Sequence, residues 1–244
     1  MKEILQDIVS HTHNLGFLDI VRITGDNKET KIDSMSEDRT VIMYAKTANP
    51  YADMIGVFGM PQLNKLKYLL EGPEYKNGSK LELVKATRNN EEVPVGIHFE
   101  NKDGDFKNDY RFMNTDVINE KLKTVKFRGA TWDVVVKPSL QAVQRFSFQA
   151  GANSEHTTFL IKTEDKTLKF VFGNQSTHGG EFVFANDVTG KLTKNYSWPV
   201  QQVLAILKIA DVNNCTLSIS DAGALMITLD SGLAVYEYII PAGA

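Results

Sequence analysis

The sequence has few of the features that identify secreted, membrane or disulfide-bonded proteins. Its 244 residues include one cysteine, Cys215, and two tryptophans. A single cysteine cannot form an internal disulfide, so a reducing cytoplasm is the expected location. No apolar run approaches the roughly 20 residues of a membrane-spanning helix. Glu3 and Asp7 stand where a signal peptide would have an apolar block. We therefore expect neither secretion nor membrane insertion.

The bulk composition is that of a folded chain with a small negative charge. Apolar residues make up 42% of the sequence and charged residues 23%, which excludes a disordered or collagen-like chain. The length fits one large domain or two small ones. The net charge is −3, because 27 Lys and Arg residues are outnumbered by 30 Asp and Glu residues. This balance argues against a protein whose whole surface binds nucleic acid.

Four segments have the apolar periodicity of amphipathic helices, and most of the remaining sequence has the pattern of short strands. The helices are predicted at 2–13, 61–71, 138–150 and 199–211. The last three begin with proline, which is favoured at the first helical position. The alternation in Leu217–Ser220 predicts a strand with one solvated face. The predicted strands are 17–24, 40–47, 81–87, 95–100, 110–113, 132–137, 158–163, 168–172, 181–185, 216–220, 224–229 and 233–240.

The spacing of the predicted helices indicates an internal repeat. Their starts are separated by 59, 77 and 61 residues, so two intervals near 60 flank one that is longer by about 16–18. Two copies of a unit made of two helix-plus-meander segments, joined by a connector, would give this spacing. The predicted connector is 114–129, which is basic in its second part. The predicted domains are therefore 1–113 and 130–244.

No motif for catalysis, nucleotide binding or metal binding is complete. His11 and His13 point in different directions on a helix, and the other histidines are isolated in sequence. Residues 72–80 only superficially resemble a phosphate-binding loop, because they connect a helix to a strand and end in Ser79-Lys80. Cys215 has no local catalytic signature. We expect no enzymatic activity, no catalytic residue, no metal and no cofactor.

The polar faces of the predicted helices are neutral to mildly basic and rich in Gln and Asn. The four segments contain Lys2, Lys65, Lys67, Arg145 and Lys208 against Glu3, Asp7, Glu71 and Asp211. The rest of the chain is acidic. Two alternatives fit these faces: ordinary solvated helix surfaces, or a surface that meets nucleic-acid phosphates.

Four stretches resemble the trimeric DNA sliding clamps, the family of the proliferating cell nuclear antigen and the T4-like bacteriophage clamps. Ser34–Val41 is similar to the Ser-Met-Asp stretch that follows the first helix of these clamps, and Met60–Lys67 to their second helix. Val135–Ser139 resembles the opening of the second domain, and Tyr236–Ala242 the clamp C-terminus. The stretches are short, but they occur in the family's order and on a repeat of the right period.

The resemblance implies an α+β, two-domain DNA-clamp fold, with helices inside and antiparallel sheets outside a ring of three subunits. The implied function is that of a DNA polymerase processivity factor, a tether that encircles duplex DNA without reading its sequence. The implied partners are two further copies of the chain, duplex DNA, the C-terminal tail of a replicative DNA polymerase and a clamp loader ATPase. No membrane partner is implied.

The resemblance also assigns three groups of site residues. The DNA-binding channel would contain Lys2, Lys65, Lys67, Lys137, Arg145 and Lys208. The pocket for partner peptides would contain Met35, Val41, Leu122, Val125, Tyr238, Ile240 and Pro241. The subunit interface would pair 110–114 of one copy with 180–186 of the next, through Tyr110, Phe112, Phe182 and Phe184. The alternatives are, in the same order, solvated lysines, core side chains and ordinary edge strands.

The two ends of the sequence depart from the cellular clamps. The chain begins at the first helix, without the leading strand of the cellular proteins, and it stops soon after Pro241. Both departures favour the bacteriophage type, and with it the cytoplasm of an infected bacterial host.

Two other functional classes stay open at this level. A non-enzymatic, β-rich structural or interaction protein, such as a virion component, would have the same strands but no shared electropositive helix face. A hydrolase built from scattered acids and histidines would require a deep pocket with convergent titratable groups.

Overall fold

A computed structural model describes residues 1–88, 91–123, 127–174, 176 and 178–243. The chain divides into two compact units. Unit 1 is Met1–Val125 with Gly232–Val235, and unit 2 is Lys126–Ser231 with Tyr236–Ala244. Each unit contains helices and antiparallel strands, which confirms the predicted α+β class. The domain limits 1–113 and 130–244 stay a prediction.

The elements of unit 1, in chain order, are α1 (Lys2–His11), β1 (Val21–Gly25), β2 (Thr30–Met35), β3 (Ile42–Thr47), β4 (Gly56–Met60), α2 (Leu63–Glu71), β5 (Lys80–Arg88), β6 (Glu91–Glu100), β7 (Lys107–Arg111) and α3 (Thr115–Lys121). Its strands form two antiparallel groups, in the orders β4-β1-β2-β3 and β5-β6-β7. Short 3₁₀ turns occur at His13–Leu15 and Pro73–Tyr75.

The two longer helices of unit 1 pack side by side through their apolar faces. Each of the buried aliphatic side chains on these faces contributes about 1.5–3 kcal/mol by leaving water. Gly72 and Pro73 follow the last residue of α2, and proline cannot continue a helix. The buried side chains are Ile4, Leu5, Ile8 and Val9 in α1 and Leu63, Leu66, Leu69 and Leu70 in α2.

The elements of unit 2, in chain order, are β8 (Val134–Val136), α4 (Leu140–Ala152), β9 (Thr158–Glu164), β10 (Thr167–Phe172), β11 (Gly180–Ala185), β12 (Ser197–Pro199), α5 (Val200–Ile209), β13 (Cys215–Ser220), β14 (Ala224–Asp230) and β15 (Ala234–Pro241). Its strands likewise form two antiparallel groups, in the orders β11-β10-β9-β12 and β15-β14-β13-β8. A 3₁₀ turn follows α5 at Val212–Asn214.

An aromatic cluster forms the core of unit 2 beneath α4. The Phe146 ring is fully buried, and its centroid lies 4.8 Å from that of Phe159 and 5.2 Å from that of Phe170. Phe170 in turn stacks on Phe184 of β11 at 4.2 Å. Aromatic pairs at these separations add about 0.5–1.5 kcal/mol each beyond the burial of their surface. This cluster holds α4 on the β9-β10-β11 face.

The predicted proline starts of three helices are wrong by one or two residues. The first helical residues are Leu63, Leu140 and Val200, and each proline lies before them. The reason is clearest at α4, where the Ser139 hydroxyl accepts a hydrogen bond from the Ala142 amide at 3.0 Å and so caps the helix.

The sequence patterns missed four elements, β2, β4, β12 and α3, and misjudged the exposure of β13. Ser218 and Ser220 are buried, so the predicted solvated face of that strand is wrong.

The helix α5 ends before the predicted residue 211. Asp211 lies outside it, and the Asp211 carboxylate accepts a hydrogen bond from the Asn213 amide at 3.0 Å.

Candidate nucleic-acid and protein interfaces

The basic residues predicted for a DNA channel occupy different environments in unit 1. Lys65 is exposed on the polar face of α2, opposite the buried leucines. Lys67 is half-buried, and its ammonium donates to Asn14 Oδ1 at 2.9 Å. The Lys2 ammonium donates to the Tyr75 carbonyl at 2.6 Å, which directs it toward its own unit. Of the three, Lys65 has the most accessible charge.

The basic residues predicted in unit 2 are all exposed. Arg145 lies on the polar face of α4, and Lys208 lies in the last turn of α5. Lys137 follows β8 and is not on a helix. The described salt bridges include none of these three residues. Their charges are therefore available to an external anion.

The observed helix limits make the helix surfaces more basic than the sequence predicted. With Asp211 outside α5, the helices α1, α2, α4 and α5 contain five Lys or Arg residues and three Asp or Glu residues. The separation of charge between these helices and the remaining chain is thus larger than expected, although the net charge of the whole chain is −3.

A surface pocket of about 390 Å³ in unit 1 contains two of the residues predicted to bind partner peptides, Met35 and Leu122. Its other lining side chains were not predicted from the sequence. They come from three separate segments of the chain, and they combine apolar and charged groups: Phe17, Asp19, Ile20, Ser36, Glu37, Arg39 and Lys121.

The turn that shapes one wall of this pocket is held by Asp38. Its Oδ1 accepts from the Ser36 hydroxyl at 2.7 Å, the Thr40 hydroxyl at 2.7 Å and the Thr40 amide at 3.0 Å. Partial burial opposes ionisation of the Asp38 carboxyl, but these hydrogen bonds outweigh it and lower its pKa below 3.8. The turn places Arg39 in the left-handed region, at φ 60°. The side chain of Arg39 is thereby presented at the pocket.

The other predicted pocket residues that the structure describes do not line this cavity. Val41, Tyr238 and Ile240 are fully buried in the cores of their units, while Pro241 is exposed at the end of β15. Val125 lies outside the described residues. Of the predicted pocket residues that the structure describes, only Met35 and Leu122 therefore line this cavity together.

Both strands predicted to join subunits lie at the edges of their strand groups. β7 is the last strand of the order β5-β6-β7, and β11 is the first of the order β11-β10-β9-β12. Tyr110 of β7 is buried and donates its hydroxyl to the Pro61 carbonyl. Phe112 is partly exposed and stacks on Phe58, with ring centroids 4.5 Å apart.

The two phenylalanines of β11 share one face, as predicted. The centroids of Phe182 and Phe184 are 6.4 Å apart, and both rings pack on Phe170. Phe184 is buried and Phe182 is partly exposed. An edge strand presents unpaired backbone donors and acceptors unless another strand covers it. β7 and β11 are therefore both able to accept a strand from another chain.

The described residues contain neither a metal-ligand cluster nor a reactive thiol at Cys215. Among them, no group of three or more His, Cys, Asp or Glu side chains is placed to hold a metal ion. Burial raises the pKa of the Cys215 thiol to about 12, so that its reactive thiolate is disfavoured. In the same described part of the chain, no helix is both long and apolar enough to cross a bilayer.

Comparisons with known proteins identify the fold. No protein-family model matches the sequence, and no curated protein matches it either. Among solved structures, the chain is similar to the PCNA of Thermococcus kodakaraensis, with a TM-score of 0.71 and 12% identity over 98% of this chain and 97% of that one.

Two further clamp structures match at 12% identity. The PCNA of A. fulgidus, solved with the C-terminal region of FEN-1 bound, has a TM-score of 0.69, and the matched region is 100% of this chain and 95% of the A. fulgidus chain. The proliferating cellular nuclear antigen of Entamoeba histolytica has a TM-score of 0.67 over 100% of this chain and 94% of its own. The chain therefore has, over its whole length, the fold of the PCNA sliding clamps.

Proposed function

We propose that this chain is a sliding clamp, a non-enzymatic DNA polymerase processivity factor that closes around duplex DNA as a ring of three copies. The observation that carries the proposal is the similarity of fold to PCNA clamps over both units and nearly the whole of both chains. The domain limits 1–113 and 130–244, with the connector 114–129, are part of the proposal.

The charge distribution supports a DNA-facing role for the helices. Lys65, Arg145 and Lys208 present isolated cations among amide side chains on exposed helix faces. Contacts of this kind attract phosphates without reading bases, and they let a protein slide because no base-edge hydrogen bond fixes its position. Lys2, Lys67 and Lys137 belong to the same proposed channel, with Lys2 and Lys67 partly held by their own unit.

The two edge strands support closure of a ring. Pairing β7 of one copy with β11 of the next is a head-to-tail contact between different surfaces, and such contacts form rings when the rotation between copies closes. Tyr110, Phe182 and Phe184 lie on the strands that would meet, and Phe112 directly follows β7. The chain has no phosphate-binding loop in its sequence, so we assign ring opening to a separate clamp loader ATPase.

The pocket beside Met35 and Leu122 supports capture of a partner tail. Its lining combines apolar with charged side chains, which suits a short peptide with one or two apolar anchors. We propose the C-terminal tail of the replicative DNA polymerase as its occupant. The A. fulgidus PCNA structure contains the C-terminal region of FEN-1, a partner segment of the same kind.

The bacteriophage type stays a prediction within this proposal, together with a location in the cytoplasm of an infected bacterium. Ser34–Val41 and Met60–Lys67 resemble the trimeric clamps as a family, which includes the T4-like bacteriophage clamps. The three clamp structures compared above are archaeal and eukaryotic.

Charge reversal tests the channel. The variant Lys65→Glu/Lys67→Glu/Arg145→Glu should lower retention on nicked circular DNA and polymerase processivity at least tenfold, because three phosphate attractions become repulsions. The control Lys28→Glu/Lys102→Glu/Lys191→Glu makes the same change of net charge at exposed loop residues. Sedimentation should show an intact trimer for both variants. Equal processivity of the two triple variants would contradict the channel, and a chain that is monomeric at every concentration would contradict the ring.

A further inference from the structure

Two aromatic side chains are unusually exposed, and each lies on a helix beside one of the free edge strands. Tyr68 of α2 is 80% exposed and Phe148 of α4 is 75% exposed, more than any other large apolar side chain in the described chain. Both interrupt helix faces that are otherwise polar. A single exposed aromatic needs no explanation, but the placement of these two is related to the strands proposed to join subunits.

Tyr68 belongs to the part of unit 1 that borders β7. Tyr110 of β7 is hydrogen-bonded to the carbonyl of Pro61, just before α2. The pKa of the Asp109 carboxyl in β7 is lowered mainly by its hydrogen bond with His98 and further by the charge of Lys65, one helical turn before Tyr68. The helix that carries Tyr68 therefore borders the edge of the β5-β6-β7 group.

Phe148 belongs to the part of unit 2 that borders β11. The ring centroids of Phe146 in α4 and Phe182 in β11 lie 6.3 Å apart, where the helix contacts the strand. One turn further, Gly180 lies against the Gln149 side chain, since a Cβ at this position would be 2.2 Å from Gln149 Oε1. The helix that carries Phe148 therefore borders the edge of the β11-β10-β9-β12 group.

Pairing the two edges would bring the two helices together. Paired strands lie about 4.8 Å apart, and helices that pack side by side on neighbouring parts of a sheet are separated by about 8–10 Å. At that separation, aromatic side chains on the facing sides of α2 and α4 touch. We propose that Tyr68 of one copy packs against Phe148 of the next, so that a contact between helices supplements the strand pairing of the ring. This inference rests on the proposed trimer.

The placement of the two aromatics on different units favours a second copy of the chain as the binding partner. A large aromatic buries about 150–250 Å² on full burial, and aromatic residues are frequent among the few that dominate the stability of an interface. The two aromatics are on different units of the chain, as a head-to-tail contact requires. The other occupant would be the bases of single-stranded nucleic acid, which stack on exposed aromatics beside cations.

Cysteine cross-linking tests the contact directly. Cys215 is the only native cysteine, and it is buried with a raised thiol pKa, so the native chain serves as the background. The full-length variant Tyr68→Cys/Phe148→Cys, treated with a short bis-maleimide, should give a covalent trimer on a denaturing gel. An equimolar mixture of the two single variants should give a covalent dimer, whereas each single variant alone should give none.

The matched control moves one cysteine along the same helix. Leu140 is 62% exposed and lies eight residues before Phe148, about 12 Å away along the axis. The pair Tyr68→Cys/Leu140→Cys should therefore cross-link at least tenfold less. Equal yields from the two pairs would overturn the proposed contact.

A dilution experiment separates the contact from the ring itself. Tyr68→Ser/Phe148→Ser should raise the dissociation constant of the trimer at least tenfold in sedimentation, with an unchanged melting midpoint for each unit because both side chains are exposed. A trimer of unchanged affinity with no cross-link would overturn the contact while leaving the clamp function intact. Loss of single-stranded DNA binding with unchanged trimer affinity would assign the aromatics to nucleic acid. A monomer at every concentration would overturn both.

Discussion

The side chain of Ile118 in α3 lies directly on the backbone of Gly59 in β4. A Cβ at residue 59 would be 2.8 Å from three carbons of the Ile118 side chain, which is fully buried. The Gly59 amide and carbonyl are also both bonded to Met113, at 3.0 and 2.8 Å. The short helix α3 therefore docks where β4 has no side chain.

This contact predicts strong coupling between the two positions. Gly59→Ala should destabilise unit 1 by about 1–3 kcal/mol, because the added methyl group overlaps Ile118. Ile118→Ala should cost about 2–4 kcal/mol through the cavity that it leaves. In the double variant the new methyl occupies part of that cavity, so the combined loss should be smaller than the sum. Urea unfolding of the four chains measures the coupling, and additive losses would contradict the packing described.

A glycine in a different setting gives the opposite prediction. Gly151 lies in the last turn of α4, and a Cβ there would have nothing within 4 Å. Gly151→Ala should stabilise unit 2 by about 0.4–1 kcal/mol, because alanine restricts the unfolded chain and favours the helix. The measurement is the shift of the urea midpoint at constant slope. A loss of stability would show that the backbone at this position does not tolerate a side chain.

The four longer helices could be predicted from sequence because their buried side chains are apolar and regularly spaced. In α2 these are Leu63, Leu66 and Leu70, at helical intervals. The strand β2 could not be predicted, because two of its buried side chains are Thr30 and Ser34, and its pattern is not one of alternating apolar residues. The helix α3 was missed because it is seven residues long and buries one side chain, Ile118.

The candidate sites were predictable where one segment supplies them and not where several meet. The exposed cations of α2 and α4 follow directly from helical spacing. The pocket does not, since Phe17, Ile20 and Arg39 reach Met35 and Leu122 only through the tertiary structure. Tyr238 and Ile240 have the apolar character of a binding site, but their burial is decided by packing that the sequence pattern does not express.

The pocket predicts a localised effect of one substitution. Met35 is partly exposed at the end of β2 and lines the pocket, so Met35→Lys should weaken binding of the polymerase C-terminal peptide at least tenfold. The fold should be retained, because the lysine ammonium can reach solvent. Fluorescence anisotropy with the labelled peptide measures affinity.

The control for this substitution is Ile55→Lys. Ile55 is 39% exposed, belongs to the same unit and does not line the pocket. The control should bind the peptide as tightly as the native chain. If the two variants bind equally well, the peptide is bound elsewhere.

The acid sensitivity of unit 2 is predicted to depend on Asp221, which holds the segment before β12. Its carboxylate accepts from the Thr193 hydroxyl at 2.6 Å, from the Thr193 amide at 2.9 Å and from the Lys194 amide at 3.3 Å. Partial burial opposes ionisation of this carboxyl, but these hydrogen bonds outweigh it and lower its pKa from 3.8. Below about pH 3.8 the unfolded chain therefore takes up a proton that the folded chain does not, and stability falls as the pH falls through the folded pKa.

Asp221→Asn should remove this dependence. At pH 7 the variant should lose about 1 kcal/mol, because a neutral acceptor forms weaker hydrogen bonds than a carboxylate. The difference in unfolding free energy between the native chain and the variant should shrink as the pH is lowered from 5 to the most acidic value at which both still fold. The contributions of the other carboxylates cancel in this difference, because both chains contain them. The control Asp187→Asn removes an exposed carboxylate of unit 2 from a left-handed position that asparagine tolerates. Urea unfolding of the three chains across this pH range measures the dependence. A difference in unfolding free energy that stays constant with pH would show that Asp221 keeps its ordinary pKa in the folded chain.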